Sequence, residues 1–121
     1  LALAARQAFD SVEHGAGDDY HRDILAGTAN VVLVLAEPHC SAEDLEAAKL
    51  AQCALPRADF RGLTGKRWNF DGEGRLAILR LLDTHEQMLA AFGPAELTDA
   101  YVTVLDRRER GQVHRVEKVA A

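Results

Sequence analysis

His39, Cys40 and Cys53 stand near the two ends of one segment with helical periodicity, and His21 or His85 could approach them in a folded chain. Zinc accepts such nitrogen and sulfur ligands. The paired short spacings of zinc sites are absent, however, and His39 and Cys40 are neighbours that would have to ligate together. An isolated cysteine in an apolar helix reads more readily as a small core residue. These three residues are therefore weak metal candidates, and no cofactor is expected.

His85 is the one polar residue within an apolar stripe. A titrating ring held away from water has a pKa open to tuning for acid–base work. Asp83, Thr84 and Glu86 adjoin it in sequence but point to other faces of a helix, and no nucleophile or second base is placed for it. A buried, hydrogen-bonded core histidine is the expectation, and no catalytic residue is assigned. Three loop motifs fail on inspection. Gly62–Arg67 has Phe60 where a phosphate loop needs its first Gly, and Arg67 where it needs Ser or Thr. Gly15-Ala16-Gly17 has Tyr20 in place of the third Gly of a dinucleotide loop. Asn69–Glu73 lacks the alternating acidic ligands of a calcium loop.

Lys66, Arg67, Trp68 and Phe70 share one Gly-flanked loop. Trp and Arg are enriched at interface hot spots, so these four residues form the candidate interaction site. Closure of the core by Trp68 is an equal alternative. The acidic residues Asp18, Asp19, Asp23, Glu43, Asp44 and Glu46 lie near helix starts, where the helix dipole accounts for them. Arg107, Arg108, Arg110, Arg115 and Lys118 could meet a phosphate backbone, but Asp106, Glu109 and Glu117 are interleaved. A solvated helix end explains them better.

The elements that would position these groups are helical. The stretch Arg61–Phe92 is expected to organise the chain. Asp71 is a good N-cap, and Ile78, Leu81, Leu82, His85, Met88, Leu89 and Phe92 recur at helical spacing, with Thr84 on the opposite side. Gly93, as a left-handed cap, and Pro94 should end that helix. Residues 1–14 read as a helix stopped by Gly15. Asp18–Glu37 is read as a helix, although Asn30–Leu35 has the look of a buried strand. Ser41 caps a helix with a small-residue face (Ala47, Leu50, Ala51, Ala54, Leu55), which Pro56 should kink or end. Pro94 opens a last helix whose stripe is Leu97, Tyr101, Val104, Leu105 and Arg108, stopped by Gly111. Residues 112–121 read as a short strand, a partner-binding arm or a flexible tail.

The 121 residues fit one domain with a core mainly of Leu, Val and Ala, because 48% are hydrophobic but only 6% aromatic. A net charge of −5 argues against nucleic-acid binding and against a basic membrane face. Two cysteines make no disulfide framework, and a reducing, cytoplasmic setting is expected. No apolar run approaches the ~20 residues that span a bilayer. The opening LALAARQAF is too short and too soon charged for a signal peptide. The first residue is Leu1 rather than Met, so a longer natural chain is expected.

At Thr64–Trp68, Asp71–Gly74 and Leu82–Glu86 the chain resembles a group of short helical proteins of proteobacterial phage- and plasmid-associated genes. The resemblance covers most of the chain in order of elements and implies an all-helical fold and a mobile-element setting. It carries no activity and no site. The expectation is an all-α, antiparallel bundle of four to five helices in a single domain. Its expected role is a non-enzymatic interaction or regulatory protein that binds another protein or itself as a homodimer. Two alternatives stand beside it: a metal or acid–base protein using His85 with Cys53 or His39, and a nucleic-acid-linked regulator using the basic end of the last helix.

Overall fold

The computed structural model describes residues 2–39, 41–65 and 68–110. They form α1 (Ala2–Glu13), α2 (Asp19–Ala36), α3 (Ala42–Leu63), α4 (Gly72–Ala91) and α5 (Pro94–Glu109), with one 3-10 turn at Glu37–His39. There is no strand among the described residues, so the class is an all-α antiparallel bundle with short loops. The expected C-terminal strand or arm lies outside them, as do the Gly111 stop and the Lys66 and Arg67 positions.

The helix starts follow the side chains foreseen for them. Asp18 accepts from the His21 backbone N–H at 3.2 Å, and His21 Nδ1 accepts from the Asp18 N–H at 3.2 Å, closing a reciprocal cap on α2. Ser41 caps α3 through the Asp44 N–H, and Asp71 caps α4 through the Gly74 N–H at 2.6 Å. Gly15 ends α1 with φ +78, in the left-handed region open to glycine.

The organising element is α2 rather than α4. It packs against all four other helices, whereas α4 packs chiefly on α3, α2 and α1, and α5 rests mainly on α2. Burial explains the choice between helix and strand here. Leu25, Ala29, Val31, Val32, Leu33, Leu35 and Ala36 are all buried, so α2 is apolar nearly all round, and the β-branched pair Val31-Val32 is held by packing rather than by propensity.

Three local expectations are corrected. Pro56 neither kinks nor ends α3, which is assigned as one helix of 22 residues. The proline lies on the exposed side, and α4 and α2 grip the opposite face through Ala51, Ala54, Leu55 and Ala58. Gly93 is not a left-handed cap: its φ is −73, and it serves as the extended N-cap of α5. Thr84 is buried, not solvent-facing, and its hydroxyl is satisfied there by donating to the Arg80 carbonyl one turn back at 2.9 Å.

Candidate functional site

Trp68 follows the end of α3 and is held on several sides. Its indole N–H donates to Asp59 Oδ1 at 2.8 Å. Asp59 also receives a forked pair of bonds from Arg22 of α2, Nη2 to Oδ2 at 2.8 Å and Nε to Oδ1 at 2.9 Å. Burial pushes the Asp59 carboxyl up, but the bonds from Arg22 and Trp68 outweigh it, and its pKa lies below the usual value. The ring itself passes between two glycines. A Cβ at Gly17 would stand 3.2 Å from Trp68 Cε3, and one at Gly62 would stand 3.3 Å from Cδ1. Beyond it Phe70 is buried, 5.7 Å from the Trp68 ring centre and stacked on Phe9 at 6.2 Å. Of the four loop residues singled out from sequence, then, Phe70 joins the core and Trp68 is a half-buried plug. Lys66 and Arg67 lie outside the described residues.

Beside this plug is an open cleft of about 570 Å³, lined by Asp19, Arg22, Asp23, Asp59, Gly62, Leu63 and Trp68. Its walls carry the carboxylates of Asp19, Asp23 and Asp59, the Arg22 guanidinium and one aromatic edge.

His85 is buried in α4 with 1% of its surface exposed. One ring nitrogen, Nε2, shares a hydrogen bond with the Tyr101 hydroxyl of α5 at 3.2 Å; the other, Nδ1, has no partner among the described residues. Burial lowers its pKa, against a smaller opposing pull from Glu86, so the ring is neutral near pH 7. Cys53 is on the exposed face of α3 rather than in the core, which corrects the reading of it as a small core residue and leaves it apart from His85. Among the described residues, no three His, Cys, Asp or Glu side chains gather as a metal site. Cys40 and the side chain of His39 lie outside the description. Of the basic residues in the last helix, Arg110 pairs with Asp106 at 3.3 Å.

The feature that the sequence reading passed over is the outer side of α3. Cys53, Pro56, Phe60 and Leu63 are all exposed, Phe60 by 58% and Leu63 by 88%. At 100° per residue they fall within about 80° of the helix circumference, directly opposite buried Ala51 and Ala58. Leu50, 42% exposed, borders them one turn earlier. The signal in the sequence is an apolar set at i, i+3, i+7 and i+10, interleaved with the small-residue face of the same helix. A helix with apolar residues on both sides is either enclosed or meets a partner. No helix among the described residues is long and apolar enough to cross a membrane.

No protein-family model, curated protein or solved structure matches the chain.

Proposed function

We propose that this chain is a non-enzymatic interaction protein that acts by protein–protein binding, with the outer face of α3 as its contact surface and self-association as its first expression. The observation that carries this reading is the contiguous apolar stripe Cys53–Pro56–Phe60–Leu63 facing water. The other exposed large apolar residues (Leu3, Tyr20, Leu76, and the Val102–Leu105 pair) are spread over four other helices, whereas contiguous apolar surface marks interaction sites. Against a catalytic role stands the burial of His85, whose free nitrogen no substrate reaches.

Sedimentation velocity of the untagged protein from about 1 µM to several hundred µM tests the reading. The expected result is a mass that rises with concentration and is held at the monomer by Phe60→Ser or Leu63→Ser. Monomer at every concentration overturns it.

A further inference from the structure

Asp71-Gly72 is the one Asp-Gly step in the chain. At such a step the backbone nitrogen that follows the aspartate is unhindered, and it can attack the side-chain carboxyl of its own neighbour. Both reacting groups stand near water: Gly72 is exposed, and the Asp71 side chain keeps 37% of its surface. Packing does not demand glycine here, because a Cβ at Gly72 would meet nothing within 4 Å. The Gly72 N–H, first in α4, has no acceptor within the helix.

The fold restrains the carboxyl instead. Asp71 Oδ1 accepts from the Gly74 N–H at 2.6 Å, and Oδ2 accepts from Arg57 Nε of α3 at 3.2 Å. The Gly74 N–H first, and the Arg57 charge after it, hold this carboxyl below its usual pKa and keep it ionised near neutral pH. An ionised carboxylate resists attack, because only the protonated acid can release its oxygen as water. The backbone is set against the reaction as well. Asp71 is extended, with ψ 179, and ring closure needs rotation about its Cα–C bond, which would turn the first residue of α4 away from the cap.

We propose that Asp71-Gly72 is a latent isoaspartate site, guarded by the N-cap of α4 and open to reaction when Asp71 lets go of Gly74 and Arg57. In the first step the Gly72 nitrogen bonds to Asp71 Cγ and gives up its proton, while a carboxyl oxygen departs as water. The succinimide so formed takes up water at either carbonyl. Opening at the main-chain carbonyl routes the backbone through Cβ, with no net change in mass or oxidation state. The product has lost the side-chain acceptor for the Gly74 N–H, so the start of α4 is uncapped where it packs on Ala54 and Phe70.

Trypsin releases residues 68–75 as one peptide, because Arg67 and Arg75 flank it. Its isoaspartate form has the same mass, elutes apart and resists endoproteinase Asp-N. The chain is held for weeks at neutral pH, folded and in guanidinium chloride, beside Arg57→Ala and Gly72→Pro. The unfolded wild-type chain should gather the isomer about tenfold faster than the folded one or more, since the folded chain reacts only while the cap is open. Folded Arg57→Ala should react about threefold faster than folded wild type, the worth of one exposed ion pair, with unchanged helical circular dichroism. Gly72→Pro has no N–H to give up and suits the first helical position, so it should form none in either state. Equal rates for folded and unfolded wild type would show that the cap guards nothing and overturn the proposal. Folded Arg57→Ala at the wild-type rate removes Arg57 from the guard and overturns that part of it. Isomer from Gly72→Pro would place the chemistry at another bond and overturn the site itself.

Discussion

Two polar residues carry consequences that their neighbours set. His85 has a folded-state pKa lowered from 6.5, chiefly by burial. The unfolded chain therefore binds this proton more readily than the folded one. The stability tied to the neutral ring is fully present above about pH 6.5 and is lost as pH falls towards the folded value, at up to about 1.4 kcal/mol per unit. Urea unfolding followed between about pH 8 and pH 5 should show a midpoint that drops below pH 6.5, and His85→Leu should flatten that drop. An equal drop in the variant would assign the acid sensitivity to other groups. Asp59 offers a second check. Removing it as Asp59→Ala leaves the Trp68 N–H and the Arg22 guanidinium without their acceptor in a half-buried setting, at a cost of about 1–3 kcal/mol. Trp68 is the only tryptophan, so its emission should move to longer wavelength as the plug loosens; unaltered emission would show that the two glycines and Phe70 hold the ring unaided.

At the scale of the helix, two glycines in similar helical settings should respond oppositely. Gly27 is inside α2, and a Cβ there meets nothing within 4 Å, so Gly27→Ala should stabilise by about 0.5–1 kcal/mol through backbone entropy and helix propensity. Gly74, in the first turn of α4, is buried; its Cβ would stand 2.9 Å from Asp71 Oδ1 and 3.4 Å from both Ala54 Cβ and Phe70 Cβ. Gly74→Ala presses on the cap and on the α3 contact together, and should destabilise by about 1–3 kcal/mol despite the gain in propensity. Thermal melts of the two variants settle the signs. These glycines also show what sequence can convey. Helix existence, number and caps were legible because Asp18, Ser41 and Asp71 act through neighbours three residues away. Pro56 was misread because its effect on α3 depends on which side of the helix it occupies, which only the packing of α4 and α2 decides. The same holds for Gly93, whose backbone angle depends on how closely α5 follows α4, and for Cys53, whose exposure follows from the face that Ala51 and Ala58 bury. The plug shared by Gly17, Gly62, Asp59 and Trp68 joins residues more than forty positions apart, and no local spacing announces it.

Across the whole molecule, stability should be graded from α2 outward. α2 is enclosed by four helices. α5 leans mainly on α2 and buries only Ala100 and Val104 fully, with Leu97 and Tyr101 half-covered against the core. Its N-cap, Gly93, supplies no side-chain hydrogen bond, and among the described residues its side-chain hydrogen bond to α4 is the one shared by the Tyr101 hydroxyl and His85 Nε2. Regions with few buried apolar contacts open locally at a fraction of the global free energy. Amide hydrogen exchange near neutral pH should accordingly release α5 first and the centre of α2, around Ala29–Leu33, last. Because protonated His85 is disfavoured in the core, lowering the pH below about 6.5 should hasten opening of α5 more than that of α3, after correction for the intrinsic rate. Tyr101→Phe should narrow this difference between the two helices. If α5 and α2 instead exchange together at every pH, the bundle opens only as a unit, and the link between His85 and Tyr101 does not control the last helix.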